Sequence, residues 1–251
     1  ASASLLLCAR RSGFKFMEIY LHNTLSGKKE LFKPLKKTIF GTPKVGMYHC
    51  GPTVYWDQTI GNMRAMVMAD LVRRTFTYGG YKVSLIRNYT DVGHLTGDNI
   101  GDADSGEDRM EKAARREQLS PDQIADKYIH NFIVDTASLN VLPPTETPRA
   151  THFIKDMIAM VQDLVDKGFA YSTPHAIYFD VQKFPDYTKL SGQKLLNLES
   201  GQGHGTVGDL SKKSPQDFAL WFFKAGVHTN ALQTWKSPFS SPLVKDGEGF
   251  P

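Results

Sequence analysis

The sequence predicts an α/β protein built on a parallel strand–helix–strand unit, and three observations carry that prediction. Residues 45–50 form a short apolar, β-prone run that reads as a buried strand. Gly51-Pro52-Thr53 breaks it, because proline has no amide donor and glycine tolerates unusual backbone angles. Residues 63–78 then read as a helix, with Met66, Val67, Leu71 and Val72 at near-helical spacing and Gly79-Gly80 as the stop. Residues 82–90 supply the next strand through Val83, Leu85, Ile86 and Tyr89. Strand, helical crossover and second strand make a βαβ unit. Ligands of open α/β sheets collect at the carboxyl ends of the strands, here at Thr90-Asp91-Val92. The loop carrying Gly61 and the helix start after it are phosphate-seeking, since free amides and the positive dipole end attract anions.

Composition bounds the rest. With 251 residues, 41% hydrophobic and 22% charged, the chain has ordinary globular usage and expects a packed core. A net charge of +4 permits nucleotide or RNA contact without arguing for it. Two cysteines, Cys8 and Cys50, suggest no disulfide framework and fit a reducing cytoplasm. Apolar runs fall short of the roughly 20 residues a membrane span needs, so no membrane partner is expected. Residues 1–16 read as a disordered leader. Leu5-Leu6-Leu7-Cys8-Ala9 precedes Arg10 and Arg11, the reverse of a secretory signal, and bulky Leu7 argues against a lipoprotein cysteine.

Along the chain, residues 18–25 read as a strand through Ile19 and Leu21, Ser26-Gly27-Lys28-Lys29 as a basic turn, and residues 30–35 as a second strand ended by Pro34. Lys28, Lys29, Lys33, Lys36 and Lys37 read as a solvated edge that discourages strand aggregation, with RNA contact as the alternative. Residues 93–108 are rich in Gly and Asp but fail calcium-loop spacing, since Ile100 and Gly106 fall at ligand positions; they read as a mobile acidic loop that could close over a site. Ser120-Pro121-Asp122-Gln123 is a capping box opening a helix whose apolar face is Ile124, Tyr128, Phe132 and Leu139. Residues 152–167 form another amphipathic helix, stopped by Gly168, and residues 169–171 and 176–181 a β-hairpin. Gly201-Gln202-Gly203-His204-Gly205 imitates a dinucleotide fingerprint without its strand and helix and reads as a flexible loop. Residues 217–223 read as a return strand to the core, and residues 237–251 show no regular pattern.

Five motifs in order resemble a known family. They are Cys50-Gly51-Pro52-Thr53-Val54-Tyr55, Thr59-Ile60-Gly61-Asn62, Arg87-Asn88-Tyr89-Thr90-Asp91-Val92, Pro148-Arg149-Ala150-Thr151-His152 and Asp217-Phe218-Ala219-Leu220-Trp221. The resemblance is to the catalytic domain of cysteinyl-tRNA synthetases, class I aminoacyl-tRNA synthetases, from Ile19 to about Phe250. It implies the first half of a Rossmann-like nucleotide-binding fold with an α+β connective insertion. The implied division is residues 17–150 for that half, 151–230 for the insertion and 231–251 for the start of the second half.

The resemblance also implies activity: cysteine and ATP, with Mg2+, give cysteinyl adenylate, and the cysteinyl group passes to tRNA-Cys. Thr59, Ile60, Gly61 and Asn62 fall on the ATP-binding His-Ile-Gly-His signature, with Thr59 and Asn62 at the catalytic imidazole positions. Both keep a hydrogen-bond donor and neither can carry a positive charge. Loss of one charge-stabilising donor costs on the order of 10²-fold in rate. Cys50 falls on the first ligand of a Zn2+ ion that selects cysteine over serine, because a thiolate is far more available than an alkoxide at neutral pH. Gly51, Thr53 and Thr90 join Cys50 as the implied cysteine-binding set, with Asp91 beside them as either a pocket residue or a plain strand-end acceptor. His49 and His94 match no ligand position and read as ordinary strand and loop histidines.

The family's Lys-Met-Ser-Lys-Ser loop and its remaining zinc ligands do not occur in these residues, so the chain reads as an N-terminal fragment, inactive alone, of a protein that is monomeric at full length. Three alternatives stand beside this reading. They are a cysteine-activating ligase acting on a small amine, a methionine-type synthetase, and a non-catalytic nucleotide- or tRNA-binding relative.

Overall fold

The computed structural model describes residues 16–93, 109–193 and 211–251. All of the expected leader 1–16 but Phe16, all of the acidic loop 93–108 but Gly93, His94 with it, and the Gly-rich stretch 194–210 lie outside the described residues.

The βαβ unit forms as the pattern requires. Strand β4 (Pro43–His49) runs parallel to β5 (Lys82–Arg87), in register from Lys44 opposite Lys82 to His49 opposite Arg87. The crossover is helix α1 (Ile60–Tyr78), one turn longer at its start than the apolar spacing predicts, because Thr59 caps it. At its end the Gly79 amide donates to the Thr75 carbonyl and the Gly80 amide to the Thr77 carbonyl, with Gly80 at φ 90°. The buried face of α1 is Met63, Met66, Ala69, Asp70 and Phe76. Leu71, expected inside, is 51% exposed. Nor is β4 a fully buried strand: its residues alternate, with Pro43 and Val45 in and Lys44 and Gly46 out. Only one face of this sheet meets helices and core among the described residues, so it reads with the period of two of a half-covered sheet.

Strands β1 (Tyr20–Asn23) and β2 (Lys28–Leu31) make an antiparallel hairpin. Both are shorter than expected. Leu21 is solvent-facing, and only Ile19, just before β1, is buried, against Val45, Phe76 and Tyr81. The turn closes at Gly27 (φ 67°), so Lys28 and Lys29 belong to the strand and not to a basic turn. The two-residue β3 (Lys36–Lys37) pairs antiparallel with the start of β4, giving the sheet order β3-β4-β5. On the far side of β5 the 145–150 segment runs alongside as a third parallel edge, through the bridges Ile86–Glu146 and Tyr89–Arg149. Pro148 within it cannot donate, which keeps it from becoming a regular strand.

Helices α2 (Arg109–Glu117) and α3 (Pro121–Ser138) pack on the amino half of α1 and on the β4–α1 loop, burying Val54, Met110, Ile124, Tyr128 and Phe132. The capping box is present: the Ser120 hydroxyl accepts from the Gln123 amide, and the Gln123 side chain accepts from the Ser120 amide. Leu139, expected on the apolar face, is the C-cap and half exposed. Helix α4 (Ile154–Asp166), entered through a 3-10 turn at Ala150–Phe153, covers a second sheet.

That second sheet is antiparallel, in the order β6 (Ala170–Ser172), β7 (Ala176–Phe179), β8 (Phe218–Phe223), β9 (Gly249–Phe250). Strand β8 therefore joins the hairpin sheet and does not return to the parallel one. Residues 237–251, read as patternless, add β9 and pack Phe239 and Val244 into the same core, next to Trp235. Tyr171 ties this unit together by donating to the buried Asp217 carboxylate, which also accepts from the Val181 and Ser214 amides. No helix among the described residues is long and apolar enough to cross a membrane.

Candidate functional site

The β4–α1 loop lies at the carboxyl ends of the parallel strands. Pro52 and Val54 knit it to the end of β5: the Thr90 amide donates to the Pro52 carbonyl (3.0 Å), the Val54 amide to the Thr90 carbonyl (3.1 Å), and Thr53 bridges Thr90 in parallel. Gly51 comes so close to the neighbouring strand that a Cβ there would sit 1.6 Å from the Asn88 carbonyl oxygen. No side chain fits, which is why glycine follows Cys50. The Gly51 amide donates to Asn88 Oδ1 (3.0 Å), and Asn88 Nδ2 donates to Thr90 Oγ1 (3.2 Å). Asn88, to which the sequence assigns no role, joins Gly51 to Thr90, and the backbone bridge sets Thr53 beside them. The signal for Asn88 is an amide side chain near the carboxyl end of a β-prone run.

Cys50 is exposed, and its thiol donates weakly to the Gly51 carbonyl (3.7 Å). Next to it, His49 is half-buried with Nδ1 unpartnered among the described residues. Burial first, and the Arg87 cation second, hold His49 below its ordinary pKa, so it stays neutral. Arg87 is 1% exposed, with Nε and Nη2 unpartnered among the described residues and the Phe132 ring 5.9 Å away. Desolvation lowers its pKa as well.

The opening of α1 is a candidate anion cradle, an exposed helix start with amides directed away from the helix. Thr59 is the N-cap, its hydroxyl accepting from the Asn62 amide (3.4 Å) and its carbonyl from the Met63 amide (3.0 Å). Ile60, Gly61 and Asn62 are all exposed, and a Cβ at Gly61 would meet only Thr59 Oγ1, at 3.7 Å. The Asn62 amide side chain donates to Gln58 Oε1 (2.6 Å), and Gln58 Nε2 in turn reaches the carbonyls of Thr53 (3.3 Å) and Trp56 (3.2 Å). Gln58 thereby links the cradle to the Cys50 loop, a role invisible in sequence because it depends on how the loop folds back. The loop is clamped from outside by Arg116, whose guanidinium lies 4.1 Å over the Trp56 ring, and by Asn131, which donates to Asp57 (2.7 Å).

Asp91 is not available to a ligand. It is 2% exposed, and its two oxygens accept from the Thr151 amide (3.0 Å) and hydroxyl (2.7 Å). It joins the strand end to the segment that enters α4, which is the structural role weighed for it. For a metal, Cys50 is the only cysteine described, and no group of three or more His, Cys, Asp or Glu side chains capable of holding an ion occurs among the described residues. A thiolate site for zinc needs about four ligands, so the donor set here does not fit one.

A parallel βαβ unit whose helix start opens at the strand ends, with uncommitted amides and a glycine over open space, is the layout of a nucleotide-binding α/β domain. The chain belongs to the family described as tRNA synthetases class I (C) catalytic domain, which it matches over residues 36–242. Its relatives include a cysteine–tRNA ligase of Deinococcus radiodurans, 44% identical over 223 residues, covering 88% of this chain and 42% of that one. Another, from Thermus thermophilus, is 40% identical over 235 residues, covering 94% and 45%. A third, from Lactobacillus gasseri, is 43% identical over 225 residues, covering 89% and 43%. The chain spans a little under half the length of these curated relatives.

Proposed function

We propose that this chain is the nucleotide-cradle part of a cysteine–tRNA ligase, which joins the cysteine carboxylate to the α-phosphate of ATP, releases pyrophosphate, and passes the cysteinyl group to tRNA-Cys. The observation that carries the reading is the pairing of an exposed Cys50 with the α1 cradle, both mounted on the carboxyl ends of β4 and β5, in a chain whose relatives are named as that enzyme. Residues 17–150 are the first half of the nucleotide-binding fold, 151–230 the connective insertion and 231–251 the start of the second half. The enzyme works in the cytoplasm.

In this reading the amides of Ile60 and Gly61 face the phosphates of ATP with its Mg2+. Thr59 and Asn62 stand where charge develops on the phosphoryl oxygens. The Thr59 hydroxyl proton is not used by the N-cap bond, in which its oxygen accepts, so it can be given to a phosphate oxygen. Gly51, Thr53 and Thr90 line the cysteine side. Cys50 is one zinc ligand. The other donors must come from outside the described residues, because those described do not complete a site.

The test is cysteine-dependent ATP–pyrophosphate exchange by the protein carrying this chain together with the remainder of its coding sequence. Exchange with cysteine, its absence with serine, and its loss in Cys50→Ser are expected; exchange without regard to cysteine refutes the reading. Thr59 favours a second reading, a nucleotide-binding relative without ligase activity, because an uncharged hydroxyl replaces an imidazole. Thr59→His separates the two: a gain of about 10²-fold supports an enzyme with a weakened cradle, and no exchange in either form supports the second reading.

A further inference from the structure

Three lysines stand side by side across three strands, at the end of the sheet opposite the cradle. The register sets Lys36 of β3 against Lys44 of β4, and Lys44 against Lys82 of β5. Registered neighbours share one face of a sheet and lie about 5 Å apart, and like charges set directly opposite each other are destabilising. Lys33 joins the row around a cleft of about 560 Å³ whose lining contains no carboxylate. None of the four lysines is in an ion pair among the described residues. Glu30, the acid that feels Lys33, is already held by Ser26 and Asn23. The floor is open: a Cβ at Gly46 would meet nothing within 4 Å.

A solvated edge needs scattered charge; it does not need like charges stacked in register with nothing between them. We infer that Lys33, Lys36, Lys44 and Lys82 form a docking surface for the phosphodiester backbone of single-stranded RNA. Charge complementarity supplies the attraction, and four cations around one cleft, three of them in register, exceed what one free phosphate can neutralise. Lysines act here as point charges without base readout, so binding is sequence-independent and salt-sensitive. The cleft is concave, so a planar bilayer cannot reach all four ammonium groups, whereas a single strand can lie along it. Lys44 and Lys82 stand at the amino ends of their strands, away from Cys50 and Thr59. The surface is therefore independent of cysteine activation and stands or falls separately.

The experiment is fluorescence anisotropy of a labelled oligouridylate of about 12 nucleotides with the 251-residue chain, over a salt series. The triple variant K36Q/K44Q/K82Q is expected to bind about tenfold or more weakly, and to flatten the slope of log K against log salt by about 2, near 0.7 for each phosphate no longer neutralised. K36R/K44R/K82R should keep both affinity and slope. The thermal midpoint of the glutamine triple should hold or rise, since repulsion is relieved; if it falls, the single variants K36Q and K82Q carry the test. Absence of salt-dependent RNA binding by the wild-type chain, equal affinity in the glutamine variants, or lysine-dependent binding to phosphatidylserine vesicles with RNA unbound would overturn the inference.

Discussion

Gly51→Ala tests how the Cys50 loop is seated. The added Cβ would fall 1.6 Å from the Asn88 carbonyl oxygen, 2.8 Å from its carbon and 3.0 Å from Arg87 Cγ. An ordinary carbon–oxygen contact is about 3.3 Å, so loop and strand must part by about 1.7 Å. The carbonyl is backbone, and no rotamer change relieves it. Parting strains the bonds that hold the loop: Gly51 to Asn88, Thr90 to Pro52 and Val54 to Thr90. Overpacking of this kind, with the strained hydrogen bonds counted in it, costs about 1–3 kcal/mol, and a backbone clash this close falls at the upper end. A loss of about 3 kcal/mol is expected, a large part of the roughly 5–15 kcal/mol that holds a domain together. Urea denaturation followed by circular dichroism reads this directly: at a slope of about 3 kcal/mol per molar, the midpoint should fall by about 1 M. An unchanged midpoint would mean that the loop does not lie against Asn88, and the grouping of Cys50, Thr53 and Thr90 would lose its basis.

Gly61→Ala is the counterpart with the opposite sign. Its Cβ meets only Thr59 Oγ1 at 3.7 Å, so stability should hold or rise by up to about 1 kcal/mol, while ATP affinity measured by calorimetry on the extended protein should fall about tenfold as the approach to the amides is blocked. Glu117 is held at a pKa of about 2 by Arg116, then Lys127 and Tyr128, against an ordinary 4.5. Because its folded pKa is depressed, its contribution is complete above about pH 4.5 and is lost as pH falls towards about 2; screening by solvent limits it to about 1 kcal/mol. Urea midpoints of wild type and Glu117→Gln should therefore differ near neutral pH and converge by about pH 2. Trp56→Leu removes the Arg116 contact at 4.1 Å and the stack on Tyr128 at 6.1 Å, at a cost of about 1 kcal/mol. A double-mutant cycle with Arg116→Met should return a coupling of about 0.5–1 kcal/mol, and a coupling of zero would show that the clamp on the loop is not formed.

The elements most legible in the sequence were those decided by neighbours a few residues apart. The Ser120 capping box, Pro121 at the helix start and the glycine stop after Tyr78 each act within one turn of backbone, and each is where it was expected. The start of α1 was less legible: the apolar spacing puts it at residue 63, and the Thr59 cap moves it one turn earlier. Burial was less legible. Leu71 and Leu139 carry apolar side chains at helical spacing, yet both face solvent, because which stripe of a helix is covered depends on what packs against it. Strand β8 reads as apolar and aromatic in any sheet; its partner was decided by β7, about 40 residues earlier in the chain.

By itself, then, the sequence determined the order of strand, loop, helix and strand, the ends of the main helices, and the motifs that tie the chain to its family. Only the tertiary structure decided that Asn88 and Gln58 hold the candidate site together, that Asp91 is consumed by Thr151, and that Lys36, Lys44 and Lys82 stand in one row. The physical reason is range. Capping and propensity are settled by torsions and hydrogen bonds within about four residues. Register and close approach depend on which distant segments pair, and a slip of one residue turns every side chain of a strand to the opposite face.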